Sequence, residues 1–363
     1  MKKFHYVAEI NLPSKSAYPL HVLKMCDAFA SLNYKVNLII FYKKKKLSFN
    51  SIKKKYNLKN FFIINSLFNI KKNYNFFDRY KLALFSEKII GRNSLIISRS
   101  IITSLYLAFK RKKNILELHH ELQSLTKFFF NFRNFFIKEK YLKFILIHKN
   151  LLKKLSLKKK DSIILDDATD ISDFKISKDK ILNQCVYTGS LLKGKGMEII
   201  VKLAFLNPKI VFNIYGDKKD IQKNESKILK RKNIIFNNHV DYYKIPKILK
   251  NYKVLLMPYQ NKVYGLAKNL ELSEFMSPMK MFDYLASGRI ILASKLNVYS
   301  HILKNNYNSI LVSPNNIISW NNNLKKILNP KKKYVYIKKN ALITASKYTW
   351  LKRAKKIINF YKI

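Results

Sequence analysis

Short, continuous apolar runs alternate with helical stretches along the chain, and that rhythm constrains the fold more than any other feature. In the second half VYTGS precedes GMEIIVKLAFL, IVFNIYG precedes KKDIQKNESKILKR, and NIIFNNHV precedes DYYKIPKILKNY. KVLLMPY then leads into SPMKMFDYLASG, followed by RIILAS, VYSHILKNN, SILVSP and IISWNNNLKKIL. The first half offers KFHYVAEI, KVNLIIF, FFIIN, SLIISRS, NILELHH, KFILIHK and SIILDDA as strands, with AYPLHVLKMCDAFASL as the first helix. Apolar runs without period-two alternation belong to strands covered on both faces, and regular alternation with helices makes the sheet parallel. Two doubly wound α/β domains, joined near residues 169–182, are the expected architecture. The last stretch, NALITASKYTWLKRAKKIINFYKI, reads as one long amphipathic helix. In sheets of this kind ligands bind beyond the carboxyl ends of the strands.

Composition narrows the class. An apolar fraction of 48% in 363 residues is that of a globular chain, not a disordered one. No apolar run free of charge reaches the roughly 18 residues of a membrane span. The start, MKKFHYVAEINLPSKS, reads as a strand and loop rather than a leader. Cys26 and Cys185 lie far apart without CxxC spacing, so neither a disulfide framework nor a zinc site is indicated, and a reducing cytoplasm fits. The net charge of +51 attracts polyanions in general, but lysines are spread over every segment. No RNP-like motif, zinc finger or recognition helix accompanies them, so no specific nucleic-acid partner is expected. One basic segment stands out: TKFFFNFRNFFIKEKYLK, at 126–143, interleaves aromatics with cations. It reads either as a contact for anionic membrane lipids or as a solvated helix with a buried aromatic face.

Only seven glycines occur, and Gly189, Gly194 and Gly196 crowd one strand–helix junction. There the backbone must turn tightly or approach a ligand. Gly189, Gly194 and Lys195 satisfy GxxxxGK, yet Gly196 stands where a P-loop needs Ser or Thr for Mg²⁺. A P-loop kinase is therefore disfavoured, leaving a helix N-terminus and a lysine suited to pyrophosphate, or else a tight turn with a solvent-facing Lys195. In SPMKMFDYLASG, Ser277 suits the N-cap, Pro278 the first turn and Gly288 the C-terminus. Met279, Phe282, Leu285 and Ala286 form an apolar stripe, with Lys280 and Asp283 on the opposite side.

Taken in order and spacing, TGSLLKGKGMEIIVKLA, VDYYKIPKILKNYKVLLMPY and SPMKMFDYLASGRIILAS resemble the donor-binding domain of glycosyltransferase family 4. NLPSKSAYPLHVLKMCDAFASLNYKV, ILELHHE and YTWLKRAKKI resemble that family's opening loop and helix, its Glu-x-His strand end and its closing helix. The resemblance implies a GT-B fold, two Rossmann-like domains facing each other across a cleft. It divides the chain into an acceptor-side domain at 1–170, a donor domain at 171–336 and a helix at 337–363 that crosses back. It also implies a retaining, metal-independent transfer from a nucleotide sugar, such as a UDP- or GDP-sugar, to a glycan or lipid-linked acceptor. Cell-surface polysaccharide or lipopolysaccharide synthesis is the setting expected, in the cytoplasm or peripherally on the inner face of its membrane, with no metal or other cofactor.

Carried over by position, Lys195 contacts the donor phosphates within the loop of Gly189, Ser190 and Gly196. Ser190 stands where relatives commonly have Arg, so Lys280 or another base is expected to supply the missing charge. Ser277 and Met279 begin the helix at the donor. Asp283 matches the second carboxylate of E-x7-E, which binds ribose hydroxyls. The first Glu of that motif is replaced by Phe275, and either the adjacent Glu274 or the backbone of 274–281 positions the sugar. His119 matches the family histidine and would face the sugar ring. Ser14, Ser16 and Arg99 border the acceptor side. His119, Lys195 and Glu274 are thus the catalytic candidates, and a non-catalytic sugar-nucleotide-binding protein and a polyanion-binding protein are the rival readings.

Overall fold

The computed structural model describes residues 2–91, 93–122, 124–174, 181–220, 231–265, 270–331 and 333–362. The chain forms two compact units, one of residues 1–166 with 350–363 and the other of residues 167–349. Most of the helix expected at 218–231, part of the 169–182 junction and the centre of the 257–280 loop lie outside the described residues.

In the first unit, β1 (Lys3–Leu12), β2 (Lys35–Lys43), β3 (Ile63–Phe68), β4 (Ser94–Ser98), β5 (Asn114–Leu118), β6 (Leu142–Leu146) and β7 (Ser162–Ile164) form a parallel sheet. Its order is β3-β2-β1-β4-β5-β6-β7. The second unit holds β8 (Leu182–Thr188), β9 (Phe212–Tyr215), β10 (Ile234–Asn237), β11 (Tyr252–Met257), β12 (Ile290–Ser294) and β13 (Ile310–Val312). They pair in parallel as β10-β9-β8-β11-β12-β13. In both sheets the order reverses beside the first strand of the unit, which opens a crevice at that strand's carboxyl end.

The burial explains why these strands read as unbroken apolar runs. Successive side chains of a strand point to opposite faces. On β8, Cys185 and Tyr187 join a core with Ile200, Leu203, Trp320 and Leu324, while Val186 joins the opposite core with Leu255, Phe282 and Leu285. Both faces must therefore be apolar, and every one of the thirteen strand candidates forms a strand.

Two helical expectations change. VYSHILKNN forms only a short 3₁₀ turn at Asn297–Tyr299. The final stretch is two helices, Val335–Ala345 and Trp350–Lys362, separated at 346–349. The first packs on the Met279–Ser287 helix within the second unit, so 337–349 stays there. The break is held by Tyr348, whose ring meets Phe282 at 5.3 Å and whose carbonyl accepts from the Thr169 N–H at 3.0 Å. The second helix belongs to the first unit, where it packs on Ala17–Ala30 with Ala354 and Ile357 buried. No helix among the described residues is long and apolar enough to cross a membrane.

Candidate functional site

In the second unit the predicted phosphate groups converge at the end of β8. The chain leaves Thr188 through Gly189, whose φ is +129°, and a Cβ there would lie 2.7 Å from the Lys280 Nζ. The left-handed φ is what calls for glycine here, and the lysine head group takes the space a Cβ would enter. That Nζ stands 3.7 Å from the Tyr187 ring centroid and 5.3 Å from Tyr259. It is buried and has no hydrogen-bond partner among the described residues. Lys195 shares the platform, with its Nζ 5.0 Å from the Tyr259 centroid. Burial, and then the charge of Lys195, holds Lys280 well below the ordinary lysine value; burial pushes Lys195 down to about 8. Aromatic faces offset part of the desolvation of two neighbouring ammonium groups, and an anion would offset far more.

Around this pair the backbone is fixed. The Thr188 N–H donates to the Tyr284 hydroxyl at 2.9 Å, and the Tyr187 hydroxyl donates to the Ser190 carbonyl at 2.7 Å. The other two glycines lie against backbone. A Cβ on Gly194 would lie 2.0 Å from the Lys262 carbonyl oxygen, and one on Gly196 1.9 Å from that of Pro258. Gly196, with φ +91°, caps the Met197–Leu206 helix, and the Gln260 N–H bonds the Gly194 carbonyl at 2.9 Å. This docking sets Tyr259 beneath both lysines.

Two expectations for the Met279–Ser287 helix are corrected. Its N-cap is Pro278, with extended φ and ψ and no side-chain cap bond, rather than Ser277. The Ser277 Oγ is instead recruited by the Asp167 N–H at 3.1 Å. Met279 is buried, in keeping with the stripe. Asp283 is not an exposed carboxylate: it is 4% exposed, and its Oδ1 accepts from Thr169 Oγ1 at 2.7 Å and from the Tyr242 hydroxyl at 2.9 Å. Ser277 and Asp283 thus clasp the segment 167–169. Glu274 lies exposed in the turn before the helix.

In the first unit four side chains converge on Glu117, at the end of β5. His21 Nε2, His119 Nε2 and Arg353 Nη2 each lie 2.9 Å from its Oε1, and the Tyr6 hydroxyl donates to Oε2 at 2.5 Å. Burial acts to raise the Glu117 carboxyl, but Arg353 and the two histidines outweigh it and hold the group well below the usual range. An ionised carboxylate only accepts, so His119 carries its proton on Nε2 and presents Nδ1 as an acceptor. Burial first, then Arg99, pushes His119 down to about 3, so the ring is neutral near pH 7. It can hold a hydroxyl in place but is a weak proton acceptor. His21, Glu117 and His119 also place one ligand atom each within 4.8 Å of one another, a grouping able to hold a metal ion. The Arg353 guanidinium already sits on the shared carboxylate oxygen, and its fixed charge opposes a second cation there.

Arg99 follows β4, its N–H donating to the Val7 carbonyl at 2.8 Å. The guanidinium lies over the Tyr18 ring at 3.9 Å, and its buried Nη1 has no hydrogen-bond partner among the described residues. Ser14 and Ser16 shape the loop before the Ala17–Ala30 helix. Tyr56 accepts from the Ser14 N–H at 2.8 Å, and the Ser16 N–H donates to the Ser14 Oγ at 3.2 Å. Sequence reasoning missed the Tyr187–Tyr259 platform and the convergence of Tyr6, His21 and Arg353 on Glu117. For the latter a signal existed: the opening-helix, Glu-x-His and closing-helix motifs each contribute one of its residues.

Residues 169–343 match the family model described as glycosyl transferases group 1. No curated protein sequence matches the chain. Among solved structures, Anabaena HepE in complex with UDP-glucose is 12% identical, with all of both chains covered and a TM-score of 0.74. A variant of S. aureus TarM, solved with fondaparinux, alpha-GlcNAc-glycerol and UDP, is 12% identical over all of both chains, with a TM-score of 0.76. WaaG, a glycosyltransferase involved in lipopolysaccharide biosynthesis, is 10% identical over 99% of each chain, with a TM-score of 0.65. These likenesses establish the GT-B fold.

Proposed function

We propose that this chain is a glycosyltransferase that moves a sugar from a nucleotide-sugar donor to a glycan or lipid-linked acceptor, with retention and without a metal ion, in the assembly of a cell-surface polysaccharide or lipopolysaccharide. The observation that carries the reading is the Lys195–Lys280 pair, two desolvated cations over Tyr187 and Tyr259 at the carboxyl end of β8. A leaving nucleoside diphosphate gathers negative charge as the glycosyl bond breaks, and fixed buried cations stabilise that charge without reorganising. The family match over 169–343 and the UDP-glucose bound to HepE support the same assignment. His119, neutral and held by Glu117, positions a hydroxyl through Nδ1. Arg99 supplies a cation on the acceptor side, stacked on Tyr18 and with its Nη1 without a hydrogen-bond partner among the described residues. Glu274, exposed in the turn before the helix, is the carboxylate assigned to orient the donor sugar. Asp283 reaches a ribose only if Thr169 or Tyr242 gives way.

A panel of UDP- and GDP-sugars, scored for release of nucleoside diphosphate with and without chelator, tests the proposal. Release from one donor that survives chelation supports it. Tight nucleotide binding with no release from any donor would assign the chain to the non-catalytic reading instead. Replacing Glu274 by Gln, which keeps the size of the side chain and removes its charge, should lower turnover by more than it changes stability.

A further inference from the structure

The segment that drew two readings from the sequence now separates them. It forms a helix at Ser124–Asn131 followed by a short one at Arg133–Phe136. A solvated helix with a buried aromatic face would turn its phenylalanines inward, and only Phe130 does so. Phe130 is 0% exposed and meets Phe144 at 5.8 Å, which anchors the segment to the core. Leu125, Phe128, Phe129, Phe132, Phe135 and Phe136 all face solvent, and Phe135 is 80% and Phe136 65% exposed. Their rings touch in series, with Phe128 and Phe132 at 4.7 Å and Phe132 and Phe135 at 5.9 Å. The patch is continuous, and it extends through the Phe129–Phe76 stack at 5.7 Å towards the exposed Phe77. A soluble surface rarely keeps so many large apolar side chains together unless something covers them.

The rim says what the cover is. Lys127, Lys138 and Lys140, which interleave with and follow these aromatics in sequence, are exposed. Glu139, the acidic residue between the last two, is paired with Lys158 and with Lys160 at 3.6 Å, so it offsets little of the local charge. An apolar aromatic face rimmed by lysines, on a chain of net charge +51, is complementary to negative headgroups above an acyl layer. We propose that this face of the first unit docks on an anionic lipid bilayer, with the phenylalanines entering the headgroup–acyl boundary and the lysines meeting lipid phosphates. The inference is independent of the sugar-transfer reading and stands whether or not a donor is found.

Co-sedimentation of the full chain with vesicles tests it. Vesicles of phosphatidylcholine mixed with phosphatidylglycerol should bind the protein, and pure phosphatidylcholine vesicles should bind it far less. The double substitution Phe135→Ser/Phe136→Ser should lower the partition coefficient at least about tenfold, since both rings leave the apolar layer. Reversing a rim charge, as in Lys138→Glu, should lower it about fivefold and flatten its salt dependence. Because both rings are solvent-facing, the thermal midpoint of the double variant should match that of the parent, which separates lost docking from lost folding. Equal binding of parent and double variant would overturn the proposal in favour of diffuse attraction by the whole basic surface. Equal binding to neutral vesicles would remove the role of the lysines. A dimer in solution that the double variant dissolves would give the face to a second copy of the chain.

Discussion

Each unit buries charge at the end of a sheet strand, but the two do so in opposite ways. Glu117 in the first unit is satisfied completely, with Tyr6, His21, His119 and Arg353 around one carboxylate. In the second, the Lys280 Nζ is buried over two tyrosine rings with no hydrogen-bond partner among the described residues, beside a second lysine. A buried ion whose partners are all protein residues is part of the fold, and removing one partner strands the rest. A buried cation without a partner lowers stability in the free protein, and such arrangements gather at functional sites. The difference separates a carboxylate enclosed by protein partners from a lysine pair that the proposed function assigns to an anion.

The sharpest way to break the first half of that contrast is to neutralise its hub. Glu117→Gln leaves Arg353 buried without its counter-charge, so denaturant unfolding should show a loss of about 3–5 kcal/mol. A loss well under 1 kcal/mol would mean the cluster is not a structural unit. Next in size comes Asp283, which in this account resembles Glu117 more than Lys280. Asp283→Ala leaves the Thr169 and Tyr242 hydroxyls without their acceptor, and stability should fall by about 1–3 kcal/mol. If stability held while nucleotide affinity collapsed, Asp283 would belong with the ligand groups.

The smallest expected effect is one of pH. Burial sets Lys195 at about 8 in the free protein, against an ordinary value of 10.5. Between those values the unfolded chain holds a proton that the native Lys195 has released, so this residue's contribution to stability rises with pH across the window. Ligand binding runs the other way. A diphosphate favours the protonated lysine, so affinity should fall as pH rises through about 8, and binding near pH 8–9 should draw in a proton. Calorimetric titration in two buffers of different ionisation enthalpy measures that uptake directly. No uptake at any pH in that range would mean Lys195 does not meet the ligand's charge.

The fold was readable because a two-faced parallel sheet writes itself as continuous apolar runs, such as KVLLMPY and SIILDDA. Long-range polar partnerships leave no such mark. Ser277 has every local qualification for an N-cap, yet a backbone N–H from Asp167 takes its Oγ. Asp283 looks solvent-facing because its partners, Thr169 and Tyr242, are remote in sequence. The C-terminal stretch reads as one helix because amphipathic periodicity continues through Tyr348, and only the packing of that ring on Phe282 reveals the break. The glycine cluster was legible as a site of close approach, but only the structure shows that backbone fills the space beside Gly194 and Gly196 while Lys280 fills that beside Gly189. Tyr187 and Tyr259 read simply as strand-end aromatics, and nothing in their spacing marks them as a platform for two lysines.

The central claim is that Lys280 is kept buried and unpaired for the sake of a diphosphate. Thermal unfolding of the parent and of Lys280→Met, each with and without UDP or GDP, tests it most directly. The account predicts that Lys280→Met is at least as stable as the parent when free, since an unpaired buried cation has been replaced by an apolar chain of similar length. It also predicts that the nucleotide-induced rise in midpoint seen in the parent is largely lost in the variant, as binding weakens by about tenfold or more. A variant that is destabilised when free and still gains the full nucleotide shift would contradict it.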